Sequence, residues 1–402
     1  MRARGRLVRL ASLLLIVGAS APAGGDAAAD KALLDRYWRT PIPPQGVPPA
    51  RFSPVEKSLA TASCGTCHPA QLADWKTSFH ARSMGPGVAG QLVTMWRDDP
   101  ESARLCLSCH APLAEQQPYL ERGAANPAFD AGLQQAGLTC AVCHVRRHER
   151  FGPPRRDGSL ASAAPRESLP HNGVTRTPAF EQSAFCASCH QFTADGFALN
   201  GKLLENTYEE WKRSPAARAR RQCQDCHMPD RRHLWRGIHD PDMVKSGVEI
   251  SVTTERPRYR PGDELAARIV VKSAGVGHYF PTYVTPRVVV RALLLDGKRT
   301  PVARSAQEYV IAREVALDLS REIFDTRIPP GGRASFAYRR RLDGAGLSLR
   351  VTVTVYPDAF YTRFFETLLE QGAGRGEAQI REALAATRRS GFTIYEQEWP
   401  IR

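Results

Sequence analysis

The sequence predicts an α+β multidomain chain, with an N-terminal domain of short helices and loops and a C-terminal antiparallel β-sandwich closed by terminal helices. Two observations carry this. All ten cysteines fall between residues 64 and 226 in five short motifs, and near residue 245 the 402-residue chain changes to alternating, β-branched runs separated by turn residues.

The motifs decide the chemistry. Cys64-Gly65-Thr66-Cys67-His68, Cys106-Leu107-Ser108-Cys109-His110, Cys140-Ala141-Val142-Cys143-His144, Cys186-Ala187-Ser188-Cys189-His190 and Cys223-Gln224-Asp225-Cys226-His227 use every cysteine. Cys-x-x-Cys-His is the attachment site of haem c. Its two thiols add to the porphyrin vinyl groups, and the histidine ligates iron from one face. Five internal disulfides would each close a small, strained loop. A zinc scaffold would pair its Cys-x-x-Cys motifs without requiring a histidine after each. Neither alternative explains five histidines at the fifth position, so the sequence implies five covalently attached haems c with iron ligands His68, His110, His144, His190 and His227.

The N-terminus reads as a secretory signal peptide over residues 1–29. Arg2, Arg4, Arg6 and Arg9 precede a short apolar stretch, Leu10 to Ala19, and small residues allow cleavage after Ala23 or Ala29. The stretch is too short for a stable membrane anchor, and no other long apolar run follows. Haem c is attached outside the cytoplasmic membrane, so export to the periplasm, or further out, is expected. The formal charge of +14 falls to +10 without residues 1–23, which hold four arginines and no acid. Haem propionates lower it further. The mildly basic remainder suits steering toward an acidic redox protein, although most arginines are expected to pair with propionates. An exported protein is a poor candidate for nucleic-acid binding.

A Pro-rich extended lead-in is expected over 30–60 and a pentahaem domain over 61–242. Successive motifs start 42, 34, 46 and 37 residues apart, so roughly 180 residues serve five large cofactors. The porphyrins would be the core, and the domain is not expected to fold without them. Short helices are expected near the motifs, as in 69–78 and 206–213. The segment 146–180 is read as a long irregular connection, packed on haem or functional. A β-sandwich is placed over 245–358, with strands near 248–253, 265–272, 287–295, 333–339 and 347–356. Residues 359–402 are read as helices over 359–371 and 377–388 and a last strand over 392–399. This half carries no catalytic motif and reads as a scaffold or docking module.

Eleven histidines are present. Beyond the five in the motifs stand His80, His148, His171, His233, His239 and His278, just enough for a distal ligand at every iron; which of the six serve stays open at this level. Two protein ligands favour electron transfer, and a vacant position permits substrate chemistry. Met84, Met95, Met228 and Met243 are read as packing residues.

Several stretches resemble the cytochrome c-554 type of multihaem cytochrome. They are Cys64–His68 with Trp75 and Ser78-Phe79-His80, Gly137-Leu138-Thr139-Cys140, Phe185–Phe192, Thr207-Tyr208-Glu209-Glu210-Trp211 and Cys226-His227-Met228-Pro229. Gly277-His278 with Pro281-Thr282, leading to Tyr356-Pro357-Asp358, joins them, so the likeness spans about 60–365. It implies haems packed in close pairs, mostly with bis-histidine iron, passing electrons between redox partner proteins. Hydroxylamine oxidoreductase and pentahaem nitrite reductase are more distant relatives. The nitrite reductase replaces one motif histidine by lysine, whereas all five end in histidine here. The oxidoreductase carries eight haems and a tyrosine bonded to its catalytic one; five motifs fall short of that, and the sequence marks no equivalent tyrosine. The expected function is therefore electron relay rather than catalysis. The alternative is an oxidoreductase acting on a small nitrogen or sulfur compound at one open haem. Oligomeric state is left open.

Overall fold

A computed structural model describes residues 27–401. Arg2, Arg4, Arg6, Arg9 and the apolar stretch of the expected signal peptide lie outside the described residues. No described helix is long and apolar enough to cross a membrane.

The N-terminal half is assembled from short helices, each with a local cause. Helix Pro100–His110 starts on a proline, with the Asp99 side chain accepting from Ser102 N, and ends on the second motif. Helices Cys140–His144 and Cys223–His227 are single turns made entirely of motif residues, and Ala184–His190 ends on the fourth motif. A helical turn places residues i and i+3 on one face, so both thiols of each motif address the same space. Buried apolar side chains form only small groups here. One contains Ile42, Leu113, Leu133, Ala141, Val142 and Val145; another contains Met84, Leu92, Ala103, Leu107 and Ala111.

Two segments differ from expectation. The lead-in opens as a helix, Ala27–Tyr37, before running extended through the prolines. Its Ala- and Leu-rich sequence favours helix, and Tyr37 docks it by packing edge-on against Phe151 and Phe180 and donating to Cys143 O at 2.7 Å. The segment 146–180 holds a small sheet, in which Glu149–Gly152 pairs antiparallel with Val145–Arg146 and parallel with Thr175–Arg176.

The C-terminal half contains β1 (Val248–Thr254), β2 (Glu264–Ser273), β3 (Arg287–Leu295), β4 (Gln307–Ile311), β5 (Arg313–Val315), β6 (Glu322–Asp325), β7 (Arg333–Arg341), β8 (Ser348–Tyr356) and β9 (Phe392–Pro400). One antiparallel sheet has the order β7-β2-β1 and a second β9-β8-β3-β4, while β5 and β6 form a separate hairpin. Alternating burial along β1 and β7 in the first sheet and along β3 and β8 in the second gives each an inner face, and nineteen buried residues from Val244 to Val355 form one core between them. Sequence patterning did not reveal β4, β5 or β6, because β5 buries Arg313 and Glu314 where a strand pattern expects apolar residues.

The helices after β8, Ala359–Gln371 and Glu377–Thr387, do not extend the sandwich. They pack on helix Pro86–Asp98 of the N-terminal half. Gly90 and Gly376 make that approach: a Cβ on Gly376 would lie 2.0 Å from Gly90 O. Arg313, 1 % exposed, ties the halves a second time. It donates to the carbonyls of Leu199, Lys202 and Leu203 and pairs with Glu322 at 2.9 Å.

Candidate haem-iron site

All ten cysteines are free. Their thiols meet between motifs rather than within them: Cys64 against Cys140, Cys109 against Cys189, and Cys186 against Cys223. Cys143 lies within electrostatic reach of Cys186 and Cys189. The fourth motif thus adjoins the second, third and fifth, and the first adjoins the third.

The histidine rings meet across these motifs in pairs. His144 faces His233 with ring centroids 6.2 Å apart, His227 faces His278 at 6.3 Å, and His190 faces His80 at 6.4 Å. Two imidazoles held through nitrogen at about 2 Å from opposite sides of one metal place their centroids roughly 6 Å apart. These separations fit one iron between each pair.

Proton placement on the rings supports the same fit. Nδ1 of His110 lies 2.6 Å from Ser83 O, that of His144 2.8 Å from Phe151 O, and that of His227 2.6 Å from Arg236 O. His171, His233 and His278 also direct Nδ1 at backbone carbonyls, those of Gly173, Arg231 and Tyr279. A carbonyl only accepts, so each Nδ1 carries the proton and each Nε2 keeps its lone pair. His190 is the exception in partner, with Nδ1 2.6 Å from the Tyr283 hydroxyl. Burial holds the rings neutral: it lowers His80 to about 3 and His144, His190 and His278 to about 4. A neutral imidazole with a free Nε2 is the form that binds iron.

His148 and His239 are oriented the other way. His148 Nε2 lies 3.0 Å from Gly46 O, and His239 Nε2 lies 3.0 Å from Asp358 Oδ1. The nitrogen that serves the other rings as the free one is engaged in both. His148 and His239 thus engage Nε2, the nitrogen that His171, His233 and His278 leave free.

His233, His278 and His171 are placed by side chains from distant segments. Asp74 receives two bonds from Arg232, at 2.7 and 2.5 Å, and a third from His233 N at 3.0 Å. Arg232 holds the Asp74 carboxyl below the usual range. The helix after the first motif thus fixes the ring that faces the third. Glu210 plays the same part for His278. It accepts from Tyr279 N at 3.0 Å and pairs with buried Arg327 at 3.0 Å, while Gly277 lies against Trp211 and Ala216. His171 is held through its own N–H, which donates to Glu56 Oε1 at 2.6 Å. Trp75 donates to Leu138 O at 2.7 Å, and Leu138 N donates to Ser83 Oγ. A Cβ at Gly137 would meet that Ser83 Oγ at 2.1 Å, and Gly137 has φ of +66°. Non-glycine residues in the left-handed region sit on these loops too: His148, His171, Asp230, Arg231, Trp235 and Tyr283. Such strain persists where surrounding structure over-determines the geometry.

No described ring with a free Nε2 is seen facing His110. Near the second motif, Tyr361 lies close to Cys106 and Asp358, with 38 % of its surface open. Burial lifts its phenol to about 12.

Residues 63–145, which span the first three motifs, match the model of the family described as cytochrome c554 and c-prime. No curated protein matches the chain. Among solved structures, the pentahaem cytochrome c552 from Thermochromatium tepidum aligns with 87 % of this chain and 100 % of its own, at 19 % identity and a TM-score of 0.61. At that identity the likeness shows a shared fold. The ApaA protein from Bordetella pertussis aligns with 38 % of this chain and 93 % of its own at 14 % identity, and its TM-score of 0.17 carries no argument. The family match over three attachment motifs and the fold shared with a pentahaem cytochrome support a multihaem c-type cytochrome.

Proposed function

We propose that the protein is an exported pentahaem cytochrome that relays electrons between redox proteins. The observation that carries this reading is the set of three histidine pairs at 6.2–6.4 Å, five of whose six rings have Nδ1 anchored on oxygen. The ten motif cysteines would hold five haems c. His68, His110, His144, His190 and His227 would ligate iron from one face. His233, His80 and His278 would complete the irons of the third, fourth and fifth motifs. His171 would complete that of the first, since it has a free Nε2 and lies within electrostatic reach of His68.

Bound haem supplies one-electron chemistry. The protein's part is to fix the axial rings, exclude water and keep each Nδ1 proton on an acceptor, which sets ring orientation and ligand basicity. The contacts between motif thiols give the order of the relay: first to third to fourth, with branches from the fourth to the second and the fifth. A recess of about 300 Å³ lined by Arg51, Arg147, Arg166, His148 and His171 suits the propionates of the first haem. Elsewhere arginines pair with protein carboxylates, as in Arg313–Glu322, Arg327–Glu210 and Arg287–Glu314. Export follows the reading of residues 1–29 as a signal peptide.

A second reading has a specific observation behind it. The second motif lacks a facing histidine, while Tyr361, Asp358 and His239 lie on its side of the molecule. An open iron there would allow reaction with a small nitrogen or sulfur compound. Carbon monoxide added to the dithionite-reduced holoprotein tests both readings. A difference spectrum worth one haem in five is expected, assignable to the second motif by its altered band position in His110→Ala. Binding by three or more haems would sink the relay reading. Turnover of hydroxylamine or sulfite at that one haem would favour the enzyme.

A further inference from the structure

Of the axial rings with a hydrogen-bonded Nδ1, His190 alone rests on a side chain. Its Nδ1 lies 2.6 Å from the Tyr283 hydroxyl, whereas the others face backbone carbonyls. Tyr283 is an aromatic residue held at φ +65°, in the left-handed region, and this backbone aims its hydroxyl at His190. Behind the hydroxyl stands the Glu205 carboxyl, whose Oε2 is buried without a hydrogen-bond partner. The arrangement is a line of imidazole, phenol and carboxyl ending on the fourth motif, which the relay order makes the junction. A backbone carbonyl is a fixed acceptor, but a phenol backed by a carboxyl responds to where a proton sits.

We propose that Glu205 acts through Tyr283 and His190 as the group that couples proton uptake to reduction at the fourth motif. The proposal rests on the relay reading. With Glu205 ionised, Tyr283 donates to the carboxylate and its oxygen accepts the His190 Nδ1–H strongly, which favours the ferric state. With Glu205 protonated, the carboxyl donates and Tyr283 becomes a weaker acceptor for His190, which favours the ferrous state. One electron arriving from the partner protein at the iron held by His190 is therefore accompanied by one proton taken from solvent onto Glu205. No other bond forms or breaks. The charged and titratable groups facing Glu205 are few. Glu210 is neutralised by Arg327, Tyr361 and Tyr283 are phenols, and Cys109 would be an uncharged thioether once haem is attached. Burial, the largest influence, pushes the Glu205 carboxyl well above its usual range.

The test is a spectroelectrochemical titration of the holoprotein across neutral pH, with haem stoichiometry read by mass on the same sample. Wild type should show one component whose midpoint potential falls as pH rises. Glu205→Gln should make that component independent of pH. Tyr283→Phe should flatten it too, with Glu205 left in place. A slope that survives either substitution, as it would if propionates carried the proton, overturns the proposal, as does a wild type with no pH-dependent component. A mass lacking haem on Cys186 and Cys189 would sink the relay reading along with this one. A full complement with an unchanged slope sinks this one alone.

Discussion

His148 and His171 line the same recess, yet their rings engage the protein through opposite nitrogens. That difference, invisible in the sequence, leaves His171 Nε2 free and His148 Nε2 engaged, and under the proposed function only His171 would serve iron. His171→Ala is expected to add a second carbon monoxide-binding haem to the reduced protein, whereas His148→Ala should add none. Carbon monoxide difference spectra of the two variants check this directly. Equal responses would remove ring orientation as the criterion. The proximal histidines needed no such information, because each is covalently fixed beside its two cysteines in the chain.

Between elements, the two halves are joined by polar contacts that propensity does not forecast. Arg313 is fully enclosed, and three carbonyls from residues 199–203 and the Glu322 carboxylate consume its donors. Arg313→Met would leave Glu322 with Lys202 as its charged partner and free those carbonyls. Breaking a buried pair in this way costs about 3–5 kcal/mol. Denaturant unfolding should show that loss, with haem content preserved. A change below about 0.5 kcal/mol, the size of an ordinary surface substitution, would mean the contact does not join the halves. The helices of residues 359–387 teach a related lesson. Their position and length are legible in their periodicity, but their partner, helix Pro86–Asp98, is remote in sequence and is chosen by the close approach of Gly90 and Gly376.

For the whole molecule, the contrast in cores predicts how the protein fails. The sandwich has one core of nineteen buried residues, against groups of six and five around the motifs. Produced without haem attachment, the chain should lose protease resistance over its N-terminal half and leave a fragment beginning near residue 245, identifiable by mass spectrometry. Complete degradation would show that the sandwich, too, depends on haem.

Acid should weaken the junction between the halves. Burial alone would raise the Asp325 carboxyl, but Arg327 and Lys202 outweigh it and hold Asp325 at about 2. A carboxyl lowered on folding stabilises fully above its unfolded value of about 3.9. That contribution fades as pH falls from about 4 towards 2. Thermal unfolding of the holoprotein should therefore drop through this window, and Asp325→Asn should reduce the drop.

The sequence by itself determined the haem c chemistry of its motifs and the two-part α+β architecture. Covalent attachment and strand alternation are local properties, written in residues that adjoin one another. Tertiary structure alone decided which additional histidine ring meets which motif histidine, which nitrogen His148 and His239 engage, and how the motifs are ordered in space. It also supplied Asp74, Glu210, Tyr283 and Glu205, whose roles arise from contacts made across long stretches of chain. Those properties depend on where a ring nitrogen or a carboxyl points once distant segments meet, and no spacing along the chain encodes that direction.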